Sequence, residues 1–128
     1  MNDSTAIVPF VSAKVKFADT CRKSERAVII GERRYVLFQG KWNGVEFTEK
    51  FGTALFDAAI VLAHFLKEHC ADLIKEESRN IVELGCGVGL VSIVASTLLG
   101  DEKAKIIATD GDPKLLELVE RNAKENLN

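Results

Sequence analysis

Two short β-rich runs stand near the start of the chain, Ala27-Val28-Ile29-Ile30 and Arg33-Arg34-Tyr35-Val36-Leu37-Phe38. Gly31-Glu32 between them predicts a hairpin, which Gly40 and Asn43-Gly44 close. From Thr53 the spacing becomes helical: Leu55, Ala58, Ala59, Leu62, Phe65 and Leu66 recur at three and four residues, with Thr53 as the expected N-cap and this face as the buried one. Ile81-Val82-Glu83-Leu84 is a compact apolar run ending at glycines and reads as a buried strand. A largely apolar helix over Leu90–Leu99 ends at Gly100, and a second strand follows over Lys105–Asp110, giving a βαβ unit. Asp112 then caps a helix with Pro113 in its first turn and Leu115, Leu116, Val119, Ala123 and Leu127 along one face. Residues 1–25 show no clean period and are expected to be flexible, which leaves 26–128 as the folded part. The fold class is α/β.

Composition narrows the chemistry. The chain has 128 residues, 47% hydrophobic and 28% charged, the balance of one globular domain. Its 17 basic and 19 acidic residues are interspersed, so nucleic acid is not the expected partner. The apolar stretch Ala6–Ala13 contains Pro9 and lacks a basic region before it, which excludes a signal peptide or membrane span there. Cys21, Cys70 and Cys86 form no CxxC pair, and His64 and His69 stand five apart rather than four, so no metal site is expected. Reduced thiols suit the cytoplasm or nucleus.

The chemistry gathers where the first parallel strand stops. Gly85, Gly87 and Gly89 alternate between strand and helix, which lets the backbone turn tightly and approach a ligand where a Cβ would collide. The orphan N–H groups of the following helix favour an oxygen-rich or anionic guest. Asp110 ends the next strand, from which a carboxylate can accept both hydroxyls of a ribose. A dinucleotide fingerprint, G-x-G-x-x-G, would need its third glycine where Leu90 stands, so NAD is the weaker alternative ligand. The pattern present is E-x-G-x-G-x-G, beginning at Glu83. Cys86 has no base near it in sequence and reads as a bystander rather than a nucleophile.

That pattern is similar to the first-strand motif of class I methyltransferases. Phe51-Gly52-Thr53-Ala54-Leu55-Phe56-Asp57-Ala58-Ala59 resembles, more narrowly, the family 16 protein methyltransferases, which include the methyltransferase-like 21 lysine enzymes. Together with the hairpin, Ile81–Gly89 and Ala108-Thr109-Asp110-Gly111-Asp112, the resemblance covers about residues 27 to 128. It implies a Rossmann-like parallel sheet, S-adenosyl-L-methionine as cofactor and a lysine side chain of a protein as methyl acceptor. It implies further that Gly85, Cys86 and Gly87 wrap the methionine end and ribose through their backbone, with Glu83 beside them, and that Asp110 holds the ribose hydroxyls. Phe56 stands where the family usually has a tryptophan, keeping an aromatic face without the indole N–H.

A doubly wound sheet uses about six strands, whereas the pattern supplies a hairpin and two parallel strands. The expectation is the N-terminal half of a methyltransferase domain, truncated and inactive alone, or a non-catalytic module that pairs with another chain through its open sheet edge. In the resembled family the acceptor side lies further along, so no residue here is assigned to catalysis.

Overall fold

The computed structural model describes residues 23–40, 51–75, 80–100 and 105–128, apart from the side chains of Phe51 and Lys75. Residues 1–22 of the expected flexible segment 1–25, and Asn43-Gly44, lie outside the described residues.

The hairpin forms as its pattern predicts, with β1 over Glu25–Ile30, two residues earlier than the apolar run begins, and β2 over Arg33–Phe38. The strands pair antiparallel from Ile30↔Arg33 to Glu25↔Phe38. Gly31, at φ +61°, makes the two-residue turn without steric strain. Tyr35 and Leu37 alternate inward and are buried, and the Tyr35 hydroxyl meets Thr97 Oγ1 at 2.8 Å.

The first long helix, α1, runs over Asp57–His69 and does not start at Thr53. Phe51–Thr53 is instead a 3-10 turn, and Phe56 occupies the N-cap with no side-chain cap. The hairpin imposes this later start. Gly40 N donates to Thr53 O, the Gln39 side chain accepts from Leu55 N at 2.7 Å, and Arg26 spans from Leu55 O to the Asp57 carboxylate. Those tertiary bonds occupy backbone groups that a helix begun at Thr53 would need. The buried stripe differs as well: Ala59, Ile60, Ala63 and Leu66 face the core, whereas Leu62 and Phe65 are about half exposed. A short helix, α2 over Ala71–Lys75, follows Cys70 and sends Ile74 into the core; its few residues carry too little periodicity to be seen in sequence.

The βαβ unit is present. β3 over Ile81–Leu84 and β4 over Ile106–Thr109 pair in parallel, Val82 opposite Ile107, and α3 over Leu90–Leu99 connects them. Helix α3 is apolar nearly all round, because α1, α2, α4 and β4 pack about it. Strand β3, expected to be buried, is covered on one face only by the described residues: Ile81 joins the core, whereas Val82 and Leu84 are 54% and 83% exposed.

The last helix, α4 over Pro113–Leu127, begins as its sequence dictates, with the Asp112 carboxylate accepting from Lys114 N at 2.9 Å and Pro113 in the first turn. Its inward face keeps part of the expected stripe: Leu115 is buried, Ala123 packs against the core and Val119 lies against Gly89, while Leu116 and Leu127 are exposed and Asn122 and Asn126 are buried instead. The two asparagines line the outer edge of β2. Asn122 accepts from Phe38 N at 2.7 Å and donates to Phe38 O; Asn126 accepts from Val36 N at 2.9 Å and donates to Val36 O.

Candidate cofactor site

The turn between β3 and α3 is built from three left-handed glycines, Gly85 at φ +69°, Gly87 at +53° and Gly89 at +86°. They serve different ends. A Cβ on Gly89 would come within 2.9 Å of Val119 on α4, and one on Gly87 within 3.2 Å of the Gly52 carbonyl. A Cβ on Gly85 would meet nothing within 4 Å among the described residues. Gly89 therefore serves helix packing and Gly87 a backbone approach, while Gly85 fronts open space. The crowding at Gly87 comes from Gly52, a protein wall that sequence spacing alone did not reveal.

That space is a cleft of about 460 Å³ between Phe56 and α1 on one side and the Glu83–Val88 backbone on the other. Phe56, Glu83, Gly85, Cys86 and Gly87 are thus brought together, and Leu62 and Leu84 complete an apolar lining. Asp110 stands behind the turn rather than in the lining: one carboxylate oxygen accepts from Gly87 N at 3.0 Å, the other from Asp112 N at 3.2 Å. Two of its roughly four acceptor positions are used in this way.

Glu83 faces α3. Its Oε2 accepts from Ser92 N at 2.9 Å and from the Ser92 hydroxyl, so it satisfies an orphan amide in the first turn of a helix whose N-cap, Gly89, has no side chain to do so. Burial lifts the Glu83 carboxyl above the ordinary carboxylate value, Ser92 opposes the rise and Asp110 adds to it. Burial, followed by the negative charges of Glu83 and Asp110, pushes the Cys86 thiol up to about 11. A thiol that weakly ionised is no nucleophile near neutral pH. His64 is half-buried on α1, and His69 is exposed beside the Phe65 ring.

Sequence reasoning missed Asn122. It is fully buried, and its Nδ2 donates to Phe38 O and to Val88 O, the latter at 2.8 Å within the glycine turn. The available signal was a pair of asparagines four apart on one helix face, a spacing that puts both on the same neighbour.

A parallel strand, a glycine turn opening a helix and an acid at the end of the next strand form an α/β unit of the kind on which nucleotide sites are built in open parallel sheets. The family model for lysine methyltransferases matches residues 44–128, and the chain belongs to that family. It is 43% identical over 76 residues to the protein-lysine methyltransferase METTL21E of Mus musculus, covering 59% of this chain and 29% of that protein. Against the protein N-lysine methyltransferase METTL21A of Danio rerio it is 42% identical over 73 residues, or 57% of this chain and 30% of the relative. A ribosomal protein L11 methyltransferase of Sorangium cellulosum is 32% identical over 121 residues, 94% of this chain and 32% of its own length. The chain spans about a third of the length of the curated relatives it matches.

Proposed function

We propose that the chain carries the S-adenosyl-L-methionine-binding half of a protein-lysine methyltransferase. The observation that carries the reading is the cleft at Gly85, where a left-handed glycine without a neighbour in front of it faces Phe56 across the space. The backbone of Gly85, Cys86 and Gly87 would hold the methionine end and ribose, and Asp110 would take the ribose hydroxyls on the acceptor positions left by Gly87 and Asp112. Phe56 would pack its ring on the cofactor, with Glu83 setting the helix behind it. When bound, the cofactor supplies a methyl group on a positively charged sulfur. The chain's own work is to orient that group and keep water from it. The acceptor lysine side chain and the groups that align it belong to the reading of the whole protein.

NAD fits less well, because Leu90, at the third glycine position of a dinucleotide fingerprint, is 1% exposed in the core. Among the described residues no helix is long and apolar enough to cross a membrane. The free thiols Cys70 and Cys86 support a reducing compartment, cytoplasm or nucleus. The exposed Val82, Leu84 and Ile107 support association with a second copy.

Calorimetry with S-adenosylhomocysteine, and with NAD as the competing ligand, tests the reading. Asp110→Ala is expected to weaken S-adenosylhomocysteine by about 1.5–3 kcal/mol, the scale for losing a charged hydrogen-bond partner. Binding unchanged by Asp110→Ala, or a preference for NAD, would overturn it.

A further inference from the structure

We infer that Asn122 is a positioning residue for the glycine turn, tying it through helix α4 to the N-terminal hairpin so that hairpin and turn hold one another in place. This rests on the reading of that turn as the cofactor loop. Glycines give a turn little conformational preference of their own, so its shape must be imposed by bonds from outside. Gly87 N is held by Asp110, and Gly89 N by the Cys86 carbonyl at 2.8 Å. Val88, between those glycines, is 3% exposed, and its carbonyl accepts from Asn122 Nδ2 at 2.8 Å.

The same amide reaches β2. Asn122 Oδ1 accepts from Phe38 N at 2.7 Å, and Nδ2 donates its second hydrogen to Phe38 O at 3.1 Å. Both donors and the acceptor are engaged at a side chain wholly withdrawn from water, which leaves the amide no substitute partner and makes a shift of either Phe38 or Val88 costly. Helix α4 is seated on the turn at a second point, where Val119 lies against Gly89. Displacing the hairpin therefore displaces the wall from which the cofactor backbone contacts come.

Asn126 provides an internal control, because it bonds β2 in the same way, through Val36 N and Val36 O, and otherwise donates to Asn122 O rather than to the turn. The experiment measures amide exchange at Gly87 and Gly89, relative to the core amides of α3, together with S-adenosylhomocysteine affinity, in Asn122→Ala and Asn126→Ala. Asn122→Ala is expected to speed exchange in the turn and weaken binding, each about tenfold, the equivalent of one hydrogen bond of roughly 1.4 kcal/mol. Asn126→Ala is expected to lower the melting temperature with relative turn exchange and affinity unchanged. Should Asn122→Ala fail to fold, Asn122→Ser gives the same reading, since its single O–H cannot serve both Phe38 O and Val88 O. Equal turn exchange in the two variants would overturn the inference. A native chain that takes up no S-adenosylhomocysteine would count against the cofactor reading instead, and turn exchange would then decide the role of Asn122.

Discussion

The chain contains two pairs of strands in opposite circumstances. The antiparallel pair, β1 and β2, puts Ile30, Tyr35 and Leu37 into the core and has its outer edge closed by Asn122 and Asn126. The parallel pair, β3 and β4, contributes Ile81 and Ile106 to the core yet leaves Val82, Leu84 and Ile107 facing out. By sequence the second pair is as apolar as the first. Apolar content therefore states what a strand could bury, whereas burial itself depends on which neighbours reach it.

Four tests probe that contrast, in decreasing order of effect. Leu37→Ala empties a position that is fully buried and should cost about 2–5 kcal/mol in urea unfolding, whereas Val82→Ala should stay within about 0.5 kcal/mol. A comparable loss at Val82 would show the parallel pair to be as well covered as the hairpin. Next, Gly89→Ala must bear the left-handed backbone and displace Val119, at about 2–4 kcal/mol by thermal unfolding. Gly85→Ala bears the backbone strain alone, about 1–2 kcal/mol, and should nonetheless lose S-adenosylhomocysteine binding; equal stability losses at both glycines would erase the distinction between packing and ligand positions.

Third, Leu84→Lys should leave stability nearly unchanged while lowering the mass seen by light scattering, because it breaks the exposed apolar face with a charge. An unchanged mass would remove that face from consideration as a self-contact. The smallest effect concerns Glu83. Its carboxyl is raised by burial, so the folded chain binds this proton more tightly than the unfolded one, and the site adds stability as pH falls toward the ordinary carboxylate value. As pH rises through the folded value that contribution disappears. Melting curves between about pH 4 and pH 7 should show this slope in the native chain and its absence in Glu83→Gln; identical slopes would place the Glu83 carboxyl in a water-like setting.

Much of the architecture was legible in the residues. Gly31-Glu32 between two β-rich runs specified the hairpin, and Asp112-Pro113 fixed the start of α4, because turns and caps are decided by neighbours in sequence. Of the alternating glycines, Gly85 and Gly87 line the cleft, whereas Gly89 packs against α4 and Asp110 stands behind the turn. What escaped was tertiary. Thr53 is a good cap by composition, but Gly40, Gln39 and Arg26 draw the chain past it before α1 can begin. Asn122 and Asn126 look like solvated helix positions until the edge of β2 is set against them, and Leu62 and Phe65 keep helical spacing without a neighbour among the described residues that buries them.

The asparagine pair on α4 also works as a gauge. Residues four apart on a helix rise about 6 Å along its axis, and residues two apart on a strand advance about 6.7 Å, so two amides on adjacent helical turns can meet alternate peptides of one strand almost without mismatch. A strand that slid by a single residue would present its amide and carbonyl groups in the reverse direction, and both side chains would lose their partners together. The helix thus checks the alignment of β2 at Val36 and Phe38, whereas the two-residue turn at the far end sets β2 only against β1. It also occupies the backbone groups of β2 at Val36 and Phe38 onto which a foreign strand would otherwise add, so that edge of the hairpin is closed to β-addition there by side chains rather than by a further strand.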